Sequence, residues 1–440
     1  VFTRQAVFAT VLFGFLTPSF AQSVKLGEQV KPGDHFQYDL QLLVEGTMKV
    51  DRNGKVYPLT LKGEATHTFA ERVESVDSRG GVAKAIRYYT QAKSSSSVGG
   101  DSSKRALSDD RRLTVAVRTD SNTVHVCPNG PFTREELELV GEHFDTLNIP
   151  ALLPNKELKS GEGWDVPNDA AQFACQFEGL LKNELKGTLT GVREGIATFT
   201  LTGQTEGIAL GAVVKVTVKA SGTFDIATSR VTSLSWEQSD EREQGPVSPT
   251  SEVKATVTVR RTSLAEQPKE LSAEARSRVP ADKIPDEMTR LRLADPDGKY
   301  TVTYSRDWIV VGRTADHLVM RLMHKGEFAT QATISLWKKV GKGQHTPVAE
   351  FKDTLAKLTN WQPGEVLADA DQTSTDGRWT YRYSVRGKQD GADVVQTFYL
   401  LAGPAGDQVA VTFLSTPDKA AKYIAREAEL LSGIGFVERK

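Results

Sequence analysis

A histidine and a cysteine stand two positions apart at His125 and Cys127, and the only other cysteine is Cys175. On a strand, side chains two apart share a face, so an imidazole and a sulfur could converge on one metal ion or one reacting atom. The rest of the chain gives that chemistry no support. Structural zinc takes four ligands, and there is no C-x-x-C, no C-x-C and no H-x-x-x-H. A cysteine nucleophile needs an oriented base with a third group behind it, and none is marked. In an oxidising compartment a lone pair of cysteines is most economically read as a disulfide, here Cys127 with Cys175. Closing that loop would remove denatured-state entropy worth about 4 kcal/mol in the chain-entropy model. Two separate buried thiols are the alternative reading.

Other candidates fall away on their patterns. Glu142 and His143 read as a solvated helix face, and His67, in phase with Ala65 and Phe69, as a core-side histidine. The run from Asp369 to Ser374 starts like a calcium loop but lacks its glycine and closing glutamate, so it reads as a polar turn. Asp295-Pro-Asp297-Gly298 reads as a turn before a strand. Ser160-Gly-Glu-Gly163-Trp164 lacks the spacing of a phosphate loop, and neither H-E-x-x-H nor G-x-S-x-G occurs. No catalytic residue, metal or cofactor is therefore expected. Trp361, in LTNWQPGE, falls in a proline-glycine stretch and is read as a loop residue on a contact surface.

Lysine plus arginine number 55 against 56 aspartate plus glutamate, with both signs scattered, which gives no basic face for nucleic acid. The opening segment has Arg4, an apolar run through Leu16, Pro18, and small residues at Ser19 and Ala21. That is the layout of a secretory signal peptide cut between Ala21 and Gln22, and no later run is apolar enough to span a membrane. At 440 residues the chain exceeds what one core serves. Four parts are expected: a signal peptide over 1–21, a β-rich domain over 22–265, an exposed linker over 266–290, and an α+β domain over 291–440.

The fold class expected is α+β. In the first domain apolar residues alternate with polar ones at Phe36 to Val44, Ala197 to Leu201, Ala212 to Val218 and Val253 to Val259, the mark of long antiparallel strands with one wet face. Glycine turns are expected at 52–54, 79–81, 193–195 and 205–207. The serine-rich run 92–112 reads as a mobile loop. Thr133 and Glu136 form a capping box that opens a helix with Leu137, Val140, Phe144 and Leu147 on one stripe. A second, short helix opens at Asn168. In the last domain, helices are expected from Thr346-Pro347 and from Thr416-Pro417, the latter with Ala420, Ile424, Ala428 and Leu431 inward.

Residues 291–440 resemble the Mog1/PsbP-like superfamily in the opening strand YTVTYSRDW, the mid-domain amphipathic helix, the hairpin WTYRYSVRGKQDGADVVQTFYLL and the closing LLSGIGF. Where that family usually has a proline before the tryptophan, this chain has Ser305-Arg306-Asp307. The resemblance implies an antiparallel sheet covered by helices and a binding or assembly role without catalysis. The first domain resembles secreted β-rich proteins of environmental bacteria and half-barrels of the lipoprotein-carrier type, which implies a curved sheet with helices. The reading that follows is an exported, non-enzymatic binding or assembly protein of the cell envelope, with an envelope protein as partner. The alternatives are a carrier of a lipid or other apolar ligand inside the curved sheet and, last, a hydrolase using His125 or a pair of carboxylates that no motif locates.

Overall fold

The computed structural model describes residues 23–437 except 53, 78–79, 120–121, 142–143, 282, 296 and 374–377. The expected leader with its Ala21 to Gln22 junction, and the pair Glu142 and His143, lie outside the described residues.

The first half of the chain contributes β1 (Val24–Leu26), β2 (His35–Arg52), β3 (Lys55–Val76), β4 (Val82–Val98), β5 (Asp101–Ala106), β6 (Leu113–Arg118) and β7 (Thr123–Val126), then helix α1 (Arg134–Val140). A 3₁₀ turn (Thr146–Leu152), β8 (Lys156–Leu158), β9 (Gly163–Asp165) and helix α2 (Asn168–Ala174) follow. The meander closes with β10 (Gly179–Asn183), β11 (Lys186–Arg193), β12 (Ile196–Ala209), β13 (Ala212–Asp225), β14 (Arg230–Arg242) and β15 (Thr250–Ser263). Thirteen of these strands form one antiparallel sheet in the order β7-β6-β4-β3-β2-β15-β14-β13-β12-β11-β9, with β5 added to β4 and β10 to β12. The period of two is what builds it: Phe36, Tyr38, Leu40 and Leu42 are buried, as are Val214, Val216, Val218, Ala255, Val257 and Val259, while their alternate neighbours are wetter.

The sheet curls around α1, the 3₁₀ turn and α2. Arg87 on β4 bonds Thr146, Phe144 meets Trp236 on β14 at 5.4 Å, and Cys175 at the end of α2 meets Thr205 on β12. In a flat sheet β4 and β12 would stand about 30 Å apart at ~4.8 Å per strand, too far for so small an internal layer to touch both. Gly207 on β12 lets the curl close on α2, because a Cβ there would stand 2.4 Å from the Phe177 ring. The capping box is formed, with Glu136 N–H donating to Thr133 Oγ1 and Thr133 N–H to the Glu136 carboxylate. The helix ends at Val140, however, so Phe144 and Leu147 reach the core from the following turn.

Two expectations for this half are corrected. The serine-rich run is a hairpin: Lys93 to Val98 pair in register with Ala106 to Asp101 through Gly99-Gly100, both at positive φ. Two glycines in that geometry make a tight hairpin turn, which outweighs the polar composition. Thr205-Glu206-Gly207 lies inside β12, and the chain reverses instead at Leu210-Gly211.

Residues 266–290 are also not a free linker. Leu271 is buried against Ala70, Ile86 and Leu113, Ile284 against Val115 and Val126, and Lys84 Nζ donates to the carbonyls of Pro280 and Ala281. With its short helices α3 (Ala273–Arg276) and α4 (Asp286–Thr289), the segment is a strap laid over the outer face of the sheet.

The second half begins with β16 (Leu291–Ala294) and β17 (Tyr300–Tyr304), followed by β18 (Trp308–Arg313), β19 (His317–His324) and β20 (Glu327–Trp337). Helix α5 (Val348–Leu355) leads into β21 (Trp361–Thr373), β22 (Trp379–Gln389), β23 (Ala392–Ala402) and β24 (Gln408–Ser415), and α6 (Pro417–Ala420), α7 (Ile424–Ser432) and β25 (Ile434–Phe436) end it. A seven-stranded antiparallel sheet runs β18-β19-β20-β24-β23-β22-β21, beside a three-stranded sheet β16-β17-β25. The expected polar turn at Asp369 is instead part of β21, an edge strand whose register shifts twice after Pro363. An edge strand tolerates proline because one side of it needs no ladder partner. The last helix breaks between α6 and α7, which moves its phase: Tyr423, Glu427, Leu430 and Leu431 turn inward while Ile424 is 44% exposed.

The halves are bonded to each other. Phe132 and Leu291 form a parallel bridge, Arg292 N–H donates to the Phe132 carbonyl, and Arg321 reaches the Pro246 carbonyl. Core side chains of both halves, Trp236 and Trp308 among them, belong to one continuous apolar cluster.

Candidate functional site

A cleft of about 1270 Å³ lies where the inner face of the long strands, the helical layer and the second half meet. Its apolar wall comes from Leu42 and Val44 on β2, Leu61 and Ala65 on β3, Leu139 on α1, Phe173 and Phe177 at α2, and Ile309 and Met323 across the junction. These positions follow from the strand period. Val44 pairs with Gly63 and Leu42 with Ala65, so all four face the same side. Toward the ends of the strands the helical layer no longer covers that face. Gly63 leaves room there, since a Cβ at that position would meet nothing nearer than 3.7 Å.

The carboxylates on the cleft wall have partners. Glu138 pairs with Arg105 at 3.0 Å and Asp307 with Arg426 at 2.7 Å; Glu64 accepts from Ser95, and Glu178 accepts from the Leu210 N–H. Asp145 accepts from Thr123 Oγ1 and the Leu147 N–H and stands 3.8 Å from Arg87. Arg87 in turn donates to Glu71 at 2.8 Å, both side chains almost wholly buried. Two cations differ. Arg134 on α1 donates to the carbonyls of Arg306 and Trp308, and Arg306 donates to the carbonyls of His125 and Thr289, but neither has an ion-pair partner among the described residues. Burial pulls the Arg306 guanidinium below its ordinary range to about 10, and the charge of Arg134 adds to the effect.

His125 is on this wall, 6% exposed, and its Nδ1 has no hydrogen-bond partner. Burial, then the charges of Arg87 and Arg306, push its pKa down to about 3 against an opposing pull from Asp145, so the ring is neutral at physiological pH. Cys127 is not part of the cleft. Its sulfur faces the Asp110 carbonyl and accepts from the Asn129 N–H. The histidine-cysteine pair therefore does not converge.

The disulfide expected between Cys127 and Cys175 is also absent: both are free, buried thiols. Cys127 is held at the end of β7, whereas Cys175 packs against Thr205 on β12, near the other end of the sheet order. Burial raises both thiol pKa values, that of Cys175 to about 12, which suppresses the thiolate that nucleophilic chemistry needs. Neither thiol should react with an aromatic disulfide reagent in the native protein, and both should react in urea. A single disulfide-linked peptide in a non-reducing map would contradict this arrangement.

Trp361 is half-buried at the start of β21, its ring lying over Gly387 and 6.5 Å from Phe398. It packs against its own sheet and is not the loop residue expected. His67 is buried and meets Tyr89 edge-on at 5.9 Å, in keeping with a core-side residue. Among the described residues no group of three or more His, Cys, Asp or Glu is placed to hold a metal ion, and no helix is long and apolar enough to cross a membrane. Arg134 and Arg306 were missed by sequence reasoning. The first is hidden inside the capping box, and the second marks only a departure from the family pattern.

No protein-family model matches the chain, and no curated protein matches it. Among solved structures it is similar to cyanobacterial PsbP from Synechocystis sp. PCC 6803, at 12% identity over 34% of this chain and 93% of that one, TM-score 0.27. It is also similar to the Saccharomyces cerevisiae Ran-binding protein Mog1p, at 13% identity over 34% of this chain and 96% of that one, TM-score 0.26. A third likeness is to lipovitellin, at 9% identity over 55% of this chain but only 27% of that one, TM-score 0.28. At these TM-scores the likeness is one of partial chain path, and it carries no ligand or activity to this chain.

Proposed function

We propose that this is an exported, non-enzymatic binding protein of the cell envelope that holds a lipid or other apolar ligand in the cleft between its two halves. The observation that carries the reading is the cleft itself. At about 1270 Å³ it exceeds the roughly 300–1,000 Å³ of ordinary small-molecule pockets, and one side of its mixed wall is a continuous aliphatic and aromatic surface from Leu42, Val44, Leu61, Phe173 and Phe177. Export is supported by the charged, apolar and small-residue sequence of the first 21 positions. A carrier role takes precedence over the assembly role because Trp361, the residue expected to mark a contact surface, packs on Gly387. The hydrolase reading has less support, because His125 Nδ1 has no hydrogen-bond partner to orient the ring as a base.

The test is a titration of the delipidated full chain with Nile red, a neutral apolar dye, followed by displacement with methyl oleate. Saturable binding of the dye and its complete displacement are expected. If the dye does not bind, or methyl oleate leaves it in place, the reading is lost.

A further inference from the structure

We infer that the ligand of the cleft carries an anionic head group, and that Arg134 and Arg306 receive it. This rests on the apolar reading of the cleft and adds the chemistry at one end of it. The two guanidinium groups come from opposite halves of the molecule, line the same cleft and face no carboxylate, while the acids around them are engaged elsewhere. Each arginine spends part of its donor set on backbone carbonyls, Arg134 on two and Arg306 on two. A guanidinium has five N–H donors, so both retain donors for a ligand. Arg134 also faces the Tyr304 hydroxyl on β17, a neutral partner that leaves its charge uncompensated. Charges that the fold leaves without a counterion are costly to bury, and an anionic oxygen in the cleft would pair with the two guanidinium groups. Alkyl carbons would then lie along Leu42, Val44 and Leu61. A fatty-acid carboxylate and a lipid phosphate share this chemistry.

The experiment displaces Nile red from the full chain with oleate, with oleoyl-lysophosphatidate, and with methyl oleate as the uncharged control. At least one of the two anions should bind roughly ten-fold tighter than methyl oleate, since a charge-assisted bidentate contact is worth about that factor. Arg306→Gln with Arg134→Gln should bring that ratio, read against methyl oleate on the same variant, close to one. Arg306→Lys, which keeps the charge but not the planar fork, should retain part of the preference. Which anion binds tighter identifies the source of the charge. Equal binding of all three ligands to the unmodified protein would overturn the head-group assignment and leave the apolar cleft standing. An anion preference that survives the double substitution would overturn the assignment to these arginines. If methyl oleate itself does not bind, the underlying reading fails, and this one with it.

Discussion

Glu71→Ala should lower the stability of the protein by about 3–5 kcal/mol, the usual cost of leaving one member of a buried ion pair behind. Glu71 and Arg87 meet at 2.8 Å with side chains 1% and 3% exposed, directly beneath the turn that carries Thr146. Removing the carboxylate strands the guanidinium with a hydroxyl and with Asp145 at 3.8 Å. The double substitution Glu71→Leu with Arg87→Met should recover most of the loss, because replacing both charges by apolar groups of similar volume removes the desolvation penalty. Urea midpoints for the three proteins decide it. A single variant that unfolds at the same midpoint as the unmodified protein would show that the pair is not shielded from solvent.

Glu427→Gln should stabilise the protein above pH 7 and do nothing below pH 4. Glu427 sits on the inward face of α7, 3% exposed, and burial raises its carboxyl pKa from 4.5 to about 7 despite the opposing charge of Arg382. Because the folded value lies above the unfolded one, the contribution of this group to stability is fully present below 4.5. It is lost progressively as pH rises to about 7 and is constant above that. The difference corresponds to on the order of 3 kcal/mol at pH 8, which the glutamine, permanently neutral and of the same shape, should return. Denaturation curves of the two proteins between pH 4 and pH 8 should converge at the acid end. Parallel curves across the range would mean that Glu427 titrates normally.

Much of the architecture was legible in the chain because it rests on local signals. Phe36 to Leu42 and Ala212 to Val218 are buried in strict alternation, and Thr133 with Glu136 caps the helix it announces. Where reading failed, a tertiary or turn effect outweighed composition. The serines of β4 and β5 pair because Gly99 and Gly100 reverse the chain in the hairpin geometry. Strand β21 was hidden by Pro363 and Gly364, which an edge position accommodates. The inward face of α7 was misplaced because the helix breaks before Ile424, and periodicity read through the break points to Ile424 and Ala428 instead of Tyr423 and Glu427. The site was the least legible part. Its apolar wall belongs to strands that were recognised, but Arg134 and Arg306 are 172 residues apart and meet only through the docking of the two halves.

The measurement that tests the account most directly is the Nile red titration run in parallel on the unmodified chain and on Gly63→Phe. Gly63 faces the cleft beside Val44, its φ lies outside the positive region, and a Cβ there meets only ordinary contacts, so an aromatic side chain can enter the space without disturbing the strand. The unmodified protein should bind the dye saturably and release it to methyl oleate, and Gly63→Phe should lose at least ten-fold in affinity with an unchanged unfolding midpoint. Equal binding by the two proteins would place the apolar ligand outside this cleft and contradict the central claim.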